Sequence, residues 1–238
     1  MRLLSFMLLG GVGVLGAPNA PRQAPPAPAV PLRIMALGAS VTFGTGSTTG
    51  NSYRKNLQDL LVAKGMTVSY VGTRSNGDFA DNAVEATGGF KINQIAASAD
   101  TAVPMLKPNL VLLDAGTNNC NKGGEVPDAG ANVTAMINKI YQQSPGSTVI
   151  LTSILANKVA EQDACRVKIN EQYAALATQL QQSGAKFAMV DMRSADAPTL
   201  NDLADTRHPN DGGYVKMANV WAKGIDEVMA KGFVTAPS

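Results

Sequence analysis

Short apolar runs alternate along this chain with longer stretches in which apolar positions recur every three or four residues. Arg33-Ile34-Met35-Ala36-Leu37 is a compact run that stops at Gly38, the pattern of a strand buried on both faces. Residues 68–71, Leu110–Leu113, Thr148–Thr152 and Phe187–Val190 read the same way. Between these runs, residues 52–64 carry Leu57, Leu60, Leu61 and Val62 and stop at Gly65, which predicts a helix. Helical spacing returns in 92–106, 129–143, 165–182 and 214–229. The stretch 72–90 is rich in Gly, Asn and Asp and is expected to be a long loop, and 156–164 is expected to be a shorter polar one.

Strands alternating with helices predict an α/β fold: a three-layer α/β/α sandwich around a parallel, flavodoxin-like sheet of five strands. Crossovers in such sheets are right-handed, and ligands gather beyond the carboxyl ends of the strands. Three polar segments fall at such ends: Gly38-Ala39-Ser40, Gly116-Thr117-Asn118, and the stretch from Asp205 to His208.

The start of the chain has a different character. Arg2 precedes an apolar run over residues 3–15 and then the small residue Gly16, as in a secretory signal peptide cut after Gly16. The run is too short for a membrane span, which needs about 20 residues. Residues 17–31 are rich in Ala and Pro and predict an extended leader or linker, so the folded domain is expected over 32–238. Export bears on the two cysteines, because an oxidising compartment favours a disulfide between Cys120 and Cys165. It also gives meaning to Asn132-Val133-Thr134, a glycosylation sequon at Asn132 if the host is eukaryotic. The formal charge of +2 is scattered and forms no basic stripe, which argues against nucleic-acid binding.

His208 is the only histidine. A histidine can serve as a base near neutral pH, and an Asp three residues earlier in a turn can hold its Nδ1–H. Taken alone, His208 reads more readily as a surface residue in a polar loop. Ser40 gives it a partner, since a serine hydroxyl becomes a competent nucleophile when an adjacent base takes its proton. Donors for a developing oxyanion are available at the Ser40 N–H, at a glycine N–H in Thr87-Gly88-Gly89, and at the Asn118 amide.

Taken in order, Gly38-Ala39-Ser40, Gly89, Gly116-Thr117-Asn118 and Asp205-x-x-His208 resemble the four blocks of the SGNH (GDSL-type) hydrolases. The resemblance covers nearly all of residues 32–231. It implies that Ser40 is the nucleophile, His208 the base and Asp205 the acid that orients it, with Asp202 as a second candidate for that last place. It further implies an oxyanion hole of the Ser40 N–H, the Gly89 N–H and the Asn118 side chain, with Gly89 preferred to Gly88 because Glu85-Ala86-Thr87-Gly88-Gly89-Phe90 is similar to the family's Glu-Gly-x-x-Gly-aromatic segment. Two positions depart from the family. Ala39 stands where Gly-Asp-Ser has its acid, and Asn119 where Gly-Thr-Asn-Asp has its own.

Within the family the chain is most similar to secreted carbohydrate esterases, particularly acetylxylan esterases of carbohydrate esterase family three. Val71-Gly72-Thr73, residues 81–90 and His208-Pro209-Asn210 leading to Lys216-Met217-Ala218 carry that likeness. It implies removal of acetyl groups from plant polysaccharide by an extracellular monomer, with no metal, no organic cofactor and no stable membrane association. Two other readings stay open: an acylhydrolase of lipids or small esters, and a carbohydrate-binding protein disabled at Ala39 and Asn119.

Overall fold

The computed structural model describes residues 30–237. The expected signal peptide (1–16) lies outside the described residues, as does the leader (17–31) apart from Val30 and Pro31. Strand β1 (Leu32–Gly38) is central, and the sheet continues from it in parallel through β5 (Leu110–Leu113) and β6 (Thr148–Thr152) to β7 (Phe187–Val190). On its other side β1 has two partners. Its first half pairs in parallel with β2 (Val68–Tyr70) and its last residues with β4 (Ala83–Ala86). The two-residue β3 (Arg74–Ser75) runs antiparallel to β4.

The sheet therefore has seven strands, not five, and one edge pairing is antiparallel. All five strands read from the sequence are present. The two additional ones lie inside 72–90, where a loop was expected. That stretch lacks an apolar pattern because β4 is Ala-Val-Glu-Ala, with a carboxylate inside the strand. Glu85 is only 2% exposed. It is held there by Thr73, whose N–H and hydroxyl each donate at 2.8 Å, and by the hydroxyl of Ser98. The preceding loop is fastened by Arg54, a buried guanidinium that donates to the carbonyls of Asn76 and Asn82 at 2.7 Å each and lies over the Phe79 ring.

Strand alternation sorts the core into two halves. Leu32, Ile34 and Ala36 of β1 face a layer formed by α2 (Arg54–Ala63) and α6 (Asp211–Ala230), with Trp221 and Tyr53 buried between them. Met35 and Leu37 face the opposite layer, α3 (Ile92–Leu106), α4 (Ala129–Gln143) and α5 (Ala160–Gln182). Two helices start earlier than their apolar spacing indicates. The first turn of α5 carries Glu161 and Asp163, which favour a helix N-terminus but read as loop by composition. The first turn of α6 contains Gly212 and Gly213, and Asn210 caps it by accepting the Gly213 N–H at 2.9 Å. Gly213 is required there because a Cβ would stand 2.5 Å from the Asp202 carbonyl oxygen.

Cys120 and Cys165 form a disulfide that ties the turn after β5 to the first half of α5 across a sequence separation of 45. Asn132, in the first turn of α4, is exposed and donates to the Asp128 carboxylate at 2.9 Å. Among the described residues no helix is long and apolar enough to cross a membrane.

On the chain-entropy model, closing a loop of that length stabilises the fold by roughly 3–4 kcal/mol. Urea unfolding of the Cys120→Ser/Cys165→Ser double variant is expected to show a loss of that order. A loss below 1 kcal/mol would mean that the bridge constrains little.

Candidate active site

The end of β1 is built around a lack of space. A Cβ on Gly38 would sit 2.3 Å from Thr42 Oγ1 and 2.8 Å from the Asp114 carbonyl oxygen, so only glycine lets the chain pass β5 and turn. Ala39 then packs into the apolar core, and Ser40 opens the single-turn helix α1 (Ser40–Phe43). The turn is closed by the Ser40 carbonyl, which accepts the N–H groups of Gly44 and Thr45. Ser40 itself is 7% exposed.

His208 comes from the other end of the chain. An isolated bridge between Leu203 and Pro209 pinches the chain, with the Ala204 N–H donating to the His208 carbonyl at 2.8 Å. Inside this pinch Asp205 folds back. One carboxylate oxygen accepts the backbone N–H groups of Arg207 and His208 at 2.8 Å each, and the other lies 2.7 Å from His208 Nδ1. The far nitrogen, Nε2, stands 2.9 Å from Ser40 Oγ. Burial raises the pKa of Asp205, but the hydrogen bonds from the His208 ring and the two backbone amides outweigh it and hold the group at about 2. Asp202 is engaged elsewhere. It accepts the Thr199 N–H and hydroxyl and pairs with Lys216 at 2.7 Å.

The third and fourth segments reach the same end of the sheet. Gly116, with φ +106°, turns the chain from β5 into a single 3-10 turn, Thr117–Cys120, where Asn118 is 4% exposed. The Asn118 Nδ2 donates to the Phe90 carbonyl at 2.9 Å, which joins this turn to the glycine segment. In that segment the Phe90 N–H donates to the Thr87 carbonyl at 3.2 Å, and Gly89 occupies the turn position with φ +84°. Gly88 faces the Ser40 segment, since a Cβ there would lie 3.9 Å from Ser40 Cβ. Asn119 accepts the Ile92 N–H at 3.1 Å and so caps α3. The two departures from the family pattern are thus occupied by a packed methyl group and a neutral cap.

Sequence reasoning gave no role to several residues around this centre. Asp114, at the end of the most apolar strand, is 6% exposed. Burial raises its carboxyl to about 6, although the charge of Arg166 and the Thr42 hydroxyl pull the other way. Arg166 is fully buried and donates to the carbonyls of Leu155 and Ala156, while its Nε and Nη2 have no protein partner among the described residues. A charged residue interrupting an apolar run at a strand's end was the one available signal for Asp114. Nothing in the sequence marked Arg166.

A model of the GDSL-like Lipase/Acylhydrolase family matches residues 36–216, and the chain belongs to that family. It is an SGNH/GDSL-type hydrolase by family, related in fold to carbohydrate esterases of family 3. A family 3 carbohydrate esterase from Clostridium thermocellum is 25% identical, with 84% of this chain and 98% of that one covered at a TM-score of 0.72. A carbohydrate esterase family 3 structure from Talaromyces cellulolyticus has the same TM-score at 22% identity, covering 84% of this chain and 99% of its own, a likeness of fold. A multidomain esterase from Ruminococcus flavefaciens is 29% identical over 88% of this chain, and the match spans only 30% of that protein.

Asp114 gives a pH test of the centre's electrostatics. Its folded pKa of about 6 lies above the ordinary 3.8, so the unfolded state loses this proton first as pH rises. The group's contribution is intact below pH 3.8 and is lost as pH climbs through 6. The loss is on the order of 2–3 kcal/mol. The unfolding free energy of Asp114→Asn, minus that of the native protein, is expected to rise across this window. A flat difference would show that this carboxyl titrates normally.

Proposed function

We propose that the chain is an esterase that removes acetyl groups from a polysaccharide of the xylan type through Ser40, His208 and Asp205. The observation that carries this reading is the continuous contact from Asp205 through both nitrogens of His208 to the Ser40 hydroxyl. In this mechanism Ser40 Oγ attacks the ester carbonyl carbon and its proton passes to His208 Nε2. The Ser40 N–H, the Gly89 N–H and one N–H of the Asn118 amide receive the negative charge that develops on the carbonyl oxygen. Collapse of the intermediate breaks the bond to the sugar oxygen, which leaves as an alcohol with the proton from Nε2. Water then attacks the acyl-serine, giving its proton to Nε2, and collapse releases acetate and restores the serine. Asp205, an anion throughout the working range, keeps Nδ1 protonated and steadies the imidazolium.

A polar substrate is favoured by the segment that leans on His208. A Cβ on Gly46 would lie 3.2 Å from His208 Cβ. Beyond Gly46, the residues Ser47, Thr48, Thr49 and Asn51 line a hollow of about 270 Å³ closed by Asp211 and Tyr214. Hydroxyl and amide groups suit a sugar better than an acyl chain. The likeness to family 3 carbohydrate esterases supports the same class. Export to the cell exterior completes the proposal and rests on the character of residues 1–16.

Ser40→Ala and His208→Ala are each expected to abolish hydrolysis of p-nitrophenyl acetate while leaving the unfolding midpoint near native. Retained turnover in either purified variant would refute the assignment. Asp205→Ala is expected to be slowed but active, because the Leu203–Pro209 bridge and the Ala204 to His208 backbone bond still bring the imidazole near Ser40. On substrates, acetylated xylan is expected to be hydrolysed and long-chain acyl esters to be poor. The reverse order would identify a lipid acylhydrolase on this scaffold.

A further inference from the structure

The amide of Asn118 can help an oxyanion in only one of its two orientations. With Nδ2 toward the site it donates, and with Oδ1 there it would repel the developing charge. Its orientation follows from its hydrogen-bond partners, and those partners form a chain. Arg207 Nη1 donates to Asn121 Oδ1 at 2.6 Å. Asn121 Nδ2 donates to Asn118 Oδ1 at 3.1 Å. Asn118 Nδ2 donates to the Phe90 carbonyl at 2.9 Å. The two ends of this chain have fixed polarity, because a guanidinium has only donors and a carbonyl only accepts. Both amides between them are therefore oriented. A flipped Asn118 would set oxygen against oxygen at Phe90 and nitrogen against nitrogen at Asn121, each unmade bond costing about 1–3 kcal/mol.

Asn121 is held at its backbone as well. Its carbonyl accepts from Gln162 Nε2 at 2.8 Å, and its neighbour Cys120 is bound to Cys165. Asn118 has a second N–H beyond the one given to Phe90, and that proton is the one available to a ligand. Arg207 immediately precedes His208, and its own N–H donates to Asp205.

We infer that Arg207 and Asn121 are positioning residues that fix the polarity of the Asn118 amide, so that the loop carrying the base also sets the orientation of the oxyanion donor. This inference rests on the proposed role of Asn118 in holding the oxyanion. Asn121→Asp is the sharpest variant, since aspartate keeps the shape and can still accept from Arg207 but has no proton for Asn118 Oδ1. Asn118 is then drawn to turn its nitrogen toward Asp and its oxygen toward the site.

The test measures p-nitrophenyl acetate hydrolysis by the full chain for the native protein, Asn121→Asp, Arg207→Gln, Asn118→Ala and the Asn118→Ala/Asn121→Asp double variant. Loss of one oxyanion donor typically lowers kcat by 10²–10³-fold, and that is expected for Asn118→Ala. Asn121→Asp is expected to lower kcat at least tenfold with KM within about twofold, and Arg207→Gln less. In the Asn118→Ala background, Asn121→Asp is expected to cost nothing more. A trifluoromethyl ketone, which becomes an oxyanion on Ser40, is expected to lose affinity in parallel with kcat, a readout that a merely structural residue would not move. If Asn118→Ala is slow but Asn121→Asp keeps native kcat, or if the two losses multiply, the relay is wrong and the role of Asn118 stands. If Asn118→Ala is itself as fast as the native protein, the oxyanion assignment fails and takes the relay with it. Arg207 lies near the surface, so Arg207→Gln still decides the matter should Asn121→Asp not fold. Unchanged kcat and ketone affinity in that variant would overturn the inference.

Discussion

An imidazole has two nitrogens on opposite edges of one ring, and this structure uses both at once. Asp205 holds one edge at 2.7 Å while the other stands 2.9 Å from Ser40 Oγ. Such an arrangement needs the ring fixed in position and rotation, which a single side-chain contact does not achieve. The Leu203–Pro209 pinch supplies the missing constraint, because it makes Asp205 satisfy two backbone amides and a ring nitrogen within one tight turn. The anchor of that turn is in α6, where Asn210 caps the helix and Tyr214 donates to the carbonyls of Val41 and Thr45. The helix that closes the fold thereby docks the His208 turn directly onto the Ser40 turn.

Much of this was legible because the relevant signals are local. The strand that ends at Gly38, the lone histidine and the acid three residues before it are all visible without tertiary knowledge. What escaped were features whose stability comes from distant partners. The strand β4 hides because Glu85 is buried against Thr73 and Ser98, and residues 72–90 read as loop because the guanidinium that stitches them belongs to α2. The same reasoning applies to Asn121. An exposed asparagine after a cysteine has no pattern to announce it, and its place becomes clear only when Arg207, 86 positions away in sequence, is seen against it.

The two departures from the family pattern take on a definite sense in this setting. Losing a carboxylate from a loop next to a nucleophile matters if that carboxylate held the loop in place. Here the Ser40 turn is held by backbone bonds, by the steric fit at Gly38 and by Tyr214, while Asn119 fastens the neighbouring turn to α3. None of these needs a charge. With Ala39 apolar, the Ser40 turn also lacks a negative group that would oppose an oxyanion forming beside it in the proposed mechanism.

Asp114 is the counterweight to that neutrality. A carboxyl buried at the end of β5, with its pKa raised to about 6, is a cost to folding at neutral pH rather than a support. The fully buried Arg166 eases that cost by its charge, and Arg166 in turn holds the carbonyls of Leu155 and Ala156 in the segment that follows β6. The two groups make no direct ion pair, but each buried charge is favoured by the other, and taking one away strands its neighbour. Removing Arg166 alone leaves an acid that can take up a proton, whereas removing Asp114 alone leaves a guanidinium that cannot give one up. That asymmetry gives Asp114 a place in the fold despite its own cost, as a countercharge to the guanidinium that holds the carbonyls of Leu155 and Ala156.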